Sequence, residues 1–314
     1  ETPLGVTWSW ELPDGTPESA SGDTFEFSAE EIDGPTVVDI TGSATHPADN
    51  REGTAQTQVM VTNVAPTVVA PETVVGECNI PLTTSVKFTD PGIDDTHEAT
   101  VDWGDTIQED LGAVFQPGFS ADHTYGSVGF YTAHFMVTDD DAGTGSSQMA
   151  VDVVDTLPPE VSVAAGPRLL WPPNHEMSVI HVGIAAEDLC DDSVPVLVSV
   201  YSNDRGAIKK NHEPDAEIGP DGMLYLRAER DPKKNGRVYL IVIRSTDRSG
   251  NLGFDVTSVG VQMNRSADSL HYLREQAVAA EEYVLAHQGT VPGEYLPLLE
   301  EYPVPGARRS AVFK

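Results

Sequence analysis

The chain has 314 residues, 39% of them hydrophobic, which is enough apolar content for two or three folded domains. Its 50 acidic and 18 basic residues give a net charge of −32, and residues 1–156 hold 28 of the acids but two of the bases. Such a surface repels nucleic acid and anionic membranes and suits cations or a salty medium. Two cysteines exclude a disulfide-dense scaffold and a four-cysteine zinc site.

Residues 1–64 show period-two strand patterns separated by turns. A strand ends at the Pro13-Asp14-Gly15 turn, further strands cover Thr24–Phe27 and Pro35–Thr41, and Thr54–Val64 is the last. We predict a β-sandwich that lacks its two opening strands, which would expose a sheet edge and part of a core. Three explanations remain open: a fragment of a longer chain, strands added by a neighbouring subunit, or a smaller sheet.

Residues 65–156 show the clearest sandwich pattern, with about seven short strands separated by turns. In the predicted strand after Gly129, apolar and mainly polar residues alternate along the sequence, so successive side chains point to opposite faces. Asp139, Asp140 and Asp141 follow it, where a strand must stop and turn. The alternating residues are Tyr131, Ala133, Phe135 and Val137 on one face, and Thr132, His134, Met136 and Thr138 on the other.

Three segments of this domain resemble PKD-type Ig-like repeats: Val101-Asp-Trp-Gly-Asp105, His123-Thr-Tyr125 and Phe130–Gly143. The sequence departs from the family at Val101, where Trp is common, and at Thr106, which replaces Gly. The resemblance covers nearly all of 65–156, and Trp8–Gly15 is a looser copy, so 1–64 resembles a truncated repeat. The resemblance implies Ig-like sandwiches and, in some members, ligand or polysaccharide binding beside secreted hydrolases.

Residues 157–264 follow a proline-marked boundary and form a third predicted domain. Its acidic segments Asp188–Asp192 and Thr246–Asn251 resemble hyalin-type Ig-like repeats, although one family cysteine is present without its usual nearby partner. Trp171–His175 resembles a motif of bacterial surface Ig-like domains. The six predicted strands are Val161–Val163, Met177–Ala186, Val194–Tyr201, Leu224–Ala228, Arg237–Thr246 and Phe254–Val261.

Residues 265–314 change to a helical period. We predict an amphipathic helix over 268–288, capped at Ser266 or Ser269 and ended by Gly289, and then an extended, proline-containing tail. The helix either packs on the third domain or contributes to assembly. Its apolar face consists of Leu270, Leu273, Ala277, Ala280 and Val284.

Acidic residues cluster in loops that an Ig-type sandwich places at one end. Clustered carboxylates repel each other, and hard oxygen ligands suit Ca²⁺, so calcium is the expected cofactor; solvated acids, or neutralisation by Arg248, are the alternatives. The candidate metal ligands are Asp90, Asp94, Asp95, Asp139, Asp140 and Asp141 in the second domain, and Asp188, Asp191, Asp192, Asp247 and Asn251 in the third.

The two cysteines fall at one predicted junction between the second and third domains. Cys78 lies in the first turn of the second domain and Cys190 in a loop of the third. A disulfide between them would require Cα atoms within about 7 Å and would fix the angle between domains. Two isolated thiols are the alternative.

The sequence predicts an all-β chain of tandem Ig-like β-sandwiches with a C-terminal α-helix and an extended tail. It shows neither a His-Glu-x-x-His motif nor a Gly-x-Ser-x-Gly motif, no signal peptide and no apolar membrane span. We therefore expect a non-enzymatic extracellular or cell-surface module of the bacterial kind, acting as a stalk, spacer, adhesive or surface-assembly subunit. Other copies or domains of the same surface protein, polysaccharide or another surface protein are the expected partners.

A carbohydrate-binding accessory region of a secreted hydrolase is the alternative function. An exposed aromatic stripe on one sheet face would favour it, and the candidates are Trp8, Trp10, Tyr125 and Tyr131. A third hypothesis, a filament-forming subunit, rests on the missing strands and on the amphipathic helix.

Overall fold

A computed structural model describes residues 5–29, 32, 34–92, 94–204, 214–304 and 311–312. The chain divides into two compact units, Glu1–Val154 and Asp155–Lys314. The described residues form 22 strands and one helix near the C-terminus, so the predicted fold class is confirmed. The four-domain division of the sequence stays a prediction.

The first unit begins with one antiparallel sheet. Its strands are β1 (Val6–Glu11), β2 (Pro17–Ser21), β3 (Thr36–Thr45) and β4 (Glu52–Val61), in the order β2-β1-β3-β4. One face carries Val38 and Ile40, which are buried together with Ile32. Trp8, Trp10 and the segment around Phe25 pack on them but remain partly exposed, so this apolar cluster is only half covered.

The rest of the first unit is a two-sheet sandwich. A three-stranded sheet has the order β10-β7-β5, and a five-stranded sheet has the order β6-β12-β11-β8-β9. All pairings are antiparallel except that of β6 with β12. The strands are β5 (Thr67–Val69), β6 (Thr73–Glu77), β7 (Leu82–Thr89), β8 (His97–Asp102), β9 (Gln108–Val114), β10 (Gly118–His123), β11 (Gly129–Asp139) and β12 (Thr144–Val154).

The core of this sandwich forms around Trp103, which is fully buried. The Trp103 ring stacks on His123 and meets Phe135 edge to face, and the Tyr125 hydroxyl donates to the Trp103 carbonyl oxygen (3.1 Å). The predicted alternation in β11 is present, because Ala133, Phe135 and Val137 are buried and the side chains between them are not. Residues of the PKD-like segments therefore serve mainly as core.

We call the sandwich formed by β5–β12 the second sandwich. The strand order of the first sheet matches part of its five-stranded sheet. The order β2-β1-β3-β4 corresponds to β9-β8-β11-β12, and Thr24–Ser28 follows β2 where β10 follows β9. In the described residues, nothing in the first region corresponds to β5, β6 and β7. The half-covered face of the first sheet is the face that β7 covers in the sandwich, where Val86 and Phe88 are buried.

The second unit is also a two-sheet sandwich. One sheet has the order β13-β15-β18-β17, with β22 added to β15, and the other has the order β14-β20-β19-β16-β21. A core of aliphatic residues and Tyr239 fills the space between them. The strands are β13 (Glu160–Gly166), β14 (Leu169–Leu170), β15 (Met177–Glu187), β16 (Val196–Ser202), β17 (Ala216–Ile218), β18 (Leu224–Arg227), β19 (Gly236–Thr246), β20 (Leu252–Gln262), β21 (Leu296–Pro303) and β22 (Ala311–Val312).

The helix α1 (Ala267–Ala286) packs on the outer face of β19 and β20. The Ser266 hydroxyl oxygen accepts a hydrogen bond from the Ser269 backbone N–H (3.1 Å), which caps the helix start as predicted. Leu273, Ala280 and Val284 are buried against Val238 and its neighbours, so β19 is covered on both faces. The tail contains β21, which pairs with β16 and therefore belongs to the sheet.

Candidate functional site

The structure brings the two acidic loops of the second sandwich together. The loop between β7 and β8 lies beside the turn between β11 and β12, because Asp139 pairs with His97 in the sheet. The Thr96 backbone N–H donates to Asp140 Oδ1 (3.0 Å), and this hydrogen bond lowers the pKa of Asp140. Asp94 and Asp141 are exposed at the rim of this end of the sandwich.

Three residues of this end can hold a metal ion. The ligand atoms of Asp90, Asp95 and His97 lie within 4.8 Å of one another. Asp90 is already engaged: its Oδ2 lies 3.1 Å from His97 Nε2, and its Oδ1 accepts from the Gly92 N–H (3.0 Å). Ca²⁺ takes six to eight oxygens, whereas an imidazole beside two carboxylates is a set that Zn²⁺ also accepts. The donor set thus suits a divalent cation without selecting calcium.

Asp139 is held by protein donors instead of joining that group. Its Oδ1 accepts from the Gly143 N–H (2.6 Å), which closes the turn. Its Oδ2 accepts from the Asn63 amide (2.9 Å), a residue of the segment that enters the sandwich. We call this arrangement of Asp139, Gly143 and Asn63 the first linker clamp. Sequence reasoning missed Asn63, because that residue lies 76 positions away.

The second unit contains the same turn. Asp247 Oδ1 accepts from the Asn251 N–H (2.8 Å), and Asp247 Oδ2 accepts from the Asn251 amide (2.9 Å). That amide also donates to the carbonyl oxygen of Asp155, in the segment that precedes β13 (3.0 Å). Asp247, Asn251 and Asp155 form the second linker clamp. In both clamps a nearly buried aspartate closes the turn, and an asparagine amide joins the turn to the incoming segment.

Close backbone contacts extend the first clamp along the incoming strand. A Cβ atom at Gly145 would overlap the carbonyl oxygen of Pro66, so only glycine fits there. Two residues further on, Ser147 Oγ accepts from the Ala70 N–H (3.1 Å). Pro66 itself is buried.

The second clamp repeats these contacts at the same spacing. A Cβ at Gly253 would overlap the carbonyl oxygen of the buried Pro159, and Asp255 Oδ2 accepts from the Val163 N–H (2.7 Å). The contacting positions lie four, six and eight residues after the clamp aspartate in each unit. The sequence pattern Asp-x-x-x-(Gly or Asn)-x-Gly occurs in both units and is the signal from which the clamps could have been predicted.

The remaining acids predicted in the second unit are satisfied locally. Asp188 Oδ1 accepts from the Cys190 and Asp191 N–H groups (2.8 and 2.7 Å). Asp191 accepts from the Arg248 N–H (2.9 Å) and pairs with its guanidinium (3.4 Å), so the neutralisation by Arg248 that the sequence left open is present. Asp192 is exposed, and among the described residues none of these acids joins a metal-ligand group.

Asp155 lies in an environment that disfavours its ionised form. Desolvation raises the pKa of Asp155 above its usual range, and the nearby charges of Asp188 and Asp247 add to the effect. The ionised form of Asp155 is therefore less favourable here than in water.

Neither cysteine is a free thiol. Cys78 is buried just after β6, and Cys190 is partly buried in the loop between β15 and β16.

The aromatic residues proposed as a carbohydrate-binding stripe do not form one. Trp8 and Trp10 pack in the apolar cluster of the first sheet, and Tyr125 is buried beside Trp103. Tyr131 is partly exposed, stacks on Tyr125 and donates to the Ser127 carbonyl oxygen (3.0 Å). The alternation of these strands turns the rings inward, so these four residues do not supply the stripe that would favour the carbohydrate-binding alternative.

No protein-family model and no curated protein match the chain. A solved tetra-tandem repeat from the extending region of a large adhesion protein is 14% identical, with 83% of this chain and 67% of that chain covered at a TM-score of 0.34. A bacterial ice-binding adhesin is 13% identical (81% and 85% covered, TM-score 0.30), and protocadherin gamma B7 is 14% identical (83% and 65%, TM-score 0.28). Likeness at this level establishes neither a common fold nor a common function.

The described residues contain no helix with the length and apolar character needed to span a membrane.

Proposed function

We propose that this chain is a non-enzymatic, tension-bearing region of an extracellular adhesive or surface-assembly protein. The pairing of β6 with β12 carries the proposal. β6 lies near the start of the second sandwich and β12 is its last strand, and they run parallel over five residue pairs, from Ala150–Thr73 to Val154–Glu77. Tension applied through the two ends of a domain pulls such strands past each other, so their hydrogen bonds are loaded together.

The linker clamps support the same proposal. Each one ties the incoming segment to the last hairpin of its sandwich by a hydrogen bond and a glycine-dependent backbone contact. Tension in the linker therefore reaches the sheet that contains the longest strand pairs. The clamp aspartates are committed to N–H donors, which suits a structural role.

Single-molecule force spectroscopy of the chain tests this proposal. The Glu72 carbonyl accepts from the Ala150 N–H, and the Cys78 N–H donates to the Val154 carbonyl. Every second residue of β6 directs its backbone groups toward β12, so the Val74 N–H faces β12 as well. Val74→Pro removes that donor, and we expect it to lower the unfolding force of the second sandwich clearly. Val75→Pro is the matched control, because its amide points away from β12. Equal forces for both variants would exclude a tension-bearing role for this strand pair.

The expected cation belongs to the same proposal. We propose that Asp90, Asp95 and His97 take a divalent cation; calcium is the sequence expectation, and zinc is the competitor because of the imidazole. Melting of the chelator-treated chain with Ca²⁺ and with Zn²⁺ separates them, using Asp95→Asn as the variant. A melting temperature that neither ion raises would contradict a cation at this site.

We also propose that Cys78 and Cys190 pair with each other. The support is that the chain has two cysteines and neither is free. Extracellular proteins keep such bonds, whereas cytosolic ones rarely do, so the pairing agrees with the proposed location.

A further inference from the structure

A cleft of about 610 Å³ opens in the second unit between α1, the loop before β19 and the segment after the helix. Its size is that of a small-ligand site. Tyr272, Tyr283 and Tyr295 line it, together with side-chain amides and two lysines. None of these residues belongs to the linker clamps or to the acidic loop ends.

Two of the tyrosines stand on one face of the helix. Tyr272 and Tyr283 are eleven residues apart, which is three turns and about 16 Å along the axis. Ala279 and Ala280 lie between them, so small apolar side chains line the cleft there. Both residues are substantially exposed, at 42% and 38%. The His287 ring stacks on one face of Tyr283 (centroids 3.8 Å apart), so Tyr283 can offer its other face, and Tyr272 its ring, as flat apolar surface to a ligand.

Tyr295 forms the opposite wall and is itself nearly buried, at 6% exposure. Its ring belongs to the apolar cluster between helix and sheet. Among the described residues no group forms a hydrogen bond with its hydroxyl. A buried ring fixes its orientation, so the cleft contains a positioned hydroxyl that a ligand can use.

The charged lining of the cleft consists of two lysines, Lys233 and Lys234, and one glutamate, Glu294. The Lys234 ammonium donates to the Asn203 carbonyl oxygen (2.6 Å), which holds the loop against the end of β16. Its neighbour Lys233 also lines the cleft, and within the described residues its ammonium has no ion-pair partner. Asn235 in the loop before β19 and Gln276 in the helix add amides, and Gln276 already donates to the Tyr272 hydroxyl (3.2 Å).

We propose that this cleft binds a short segment of an acidic saccharide, with sugar rings against Tyr272 and Tyr283 and a carboxylate beside Lys233. A sugar ring offers an apolar C–H face to an aromatic ring and a polar edge of hydroxyls to amides and to the Tyr295 hydroxyl. The lysine supplies the charge that distinguishes a uronic acid from a neutral sugar. The site would let a surface protein contact an acidic polysaccharide independently of any mechanical role.

An extended peptide fits the lining less well. Such a peptide is commonly read through an exposed strand edge, and this cleft is lined by helix and loop side chains.

Titration of the intact chain with trigalacturonate and with neutral maltotriose, followed by NMR or calorimetry, tests the proposal. We expect saturable binding of trigalacturonate and at least about tenfold weaker binding of maltotriose. Lys233→Ala and Tyr283→Ala should each weaken trigalacturonate binding about tenfold. Lys87→Ala in the first unit and Leu285→Ala on another part of the same helix are the controls, and they should bind like the parent chain.

Three results would overturn the proposal. They are no saturable binding of either saccharide, binding that Lys233→Ala and Tyr283→Ala leave unchanged, and equal affinity for both saccharides, which would remove the role of Lys233. The melting temperature of each variant shows whether it is folded. If Tyr283→Ala melts early, Tyr272→Ala replaces it and should weaken trigalacturonate binding about tenfold.

Discussion

The Asn63 amide donates a 2.9 Å hydrogen bond to the carboxylate of Asp139, which lies 76 positions later in the chain. This bond joins the segment that enters the second sandwich to the turn before its last strand. Asn63→Ala removes the donor and leaves a nearly buried carboxylate less satisfied, so we expect a loss of about 1 to 2 kcal/mol in the free energy of unfolding. Urea denaturation measures it.

Gln58→Ala is the control for that prediction. The Gln58 amide also donates to a carboxylate, that of Asp39 (2.7 Å), but this bond lies on the exposed face of the first sheet. Its loss should cost at most about 0.5 kcal/mol. Equal losses for the two variants would mean that the clamp contributes no more than a surface contact.

The turn of the first clamp contains a backbone that favours glycine. Ala142 has φ of +68°, whereas the corresponding residue of the second clamp is Gly250, with φ of +95°. An L-residue in this region costs about 1 kcal/mol. Ala142→Gly should therefore stabilise the first unit by up to about 1 kcal/mol, and Gly250→Ala should destabilise the second by a similar amount. Thermal melting of both variants checks this, and a destabilising Ala142→Gly would contradict it.

Asp90 and His97 form a buried pair at the acidic end of the second sandwich, with Oδ2 and Nε2 3.1 Å apart and the side chains 0% and 5% exposed. Asp90→Ala leaves the imidazole without this acceptor, so we expect a loss of about 3 kcal/mol in the free energy of unfolding. Asp49→Ala breaks the exposed pair of Asp49 with His46 and should cost under about 1 kcal/mol. Similar losses for both would show that burial of the Asp90 pair contributes nothing.

Asp155 predicts a pH dependence of the second unit. Desolvation, with Asp188 and Asp247 nearby, raises the pKa of Asp155 in the folded state above its unfolded value, about 3.9. The folded state therefore binds the proton more tightly, and the ionised carboxylate destabilises folding at every pH above both values. Asp155→Asn should raise the melting temperature at pH 7, and the gain should disappear as the pH falls below about 4. Asp192→Asn, at an exposed site, should show a smaller gain; a destabilising Asp155→Asn at pH 7 would reject this explanation.

The proposed bond between Cys78 and Cys190 is tested by mass spectrometry. Without reductant, an alkylating agent should add nothing to the intact chain, and proteolysis should release one linked pair of peptides that contains both cysteines. After reduction, two alkyl groups should be added. Alkylation of either thiol before reduction, in an oxidised preparation, would contradict the pairing.

Some longer elements were readable from the sequence where they have one clear period, whereas the predicted strand Thr24–Phe27 is not a strand and β21 lies in the segment predicted as an extended tail. β11 alternates between buried and exposed residues, and the apolar spacing around Leu273 marks α1 within a few residues. The sequence also placed Asp90 and Asp139 at one end of a sandwich, since Ig-type topology sets which loops are neighbours. These features depend on local pattern or on connectivity.

The contacts that make the sites were not readable. Asn63 and Asp139 meet only after the sandwich forms, and nothing near either residue indicates the partner. The sequence left open whether a cation, solvent or Arg248 neutralises the acidic residues, and it gave no sign that Asp139 and Asp247 accept from N–H donors within their own turns. In the cleft, helical spacing relates Tyr272 to Tyr283, but Lys233 and Tyr295 join them through the fold alone.

Each linker clamp includes a residue that precedes the first strand of the sandwich it serves, Asn63 in one case and Asp155 in the other. A domain transferred to another protein must therefore include the connecting segment before its first strand. A domain boundary placed at Thr67 or Glu160, where β5 and β13 begin, would keep every strand of the sandwich but lose the hydrogen bond of its linker clamp to the preceding segment. Chimeras joined just before Asn63 or Asp155 should retain the stability of the parent more fully.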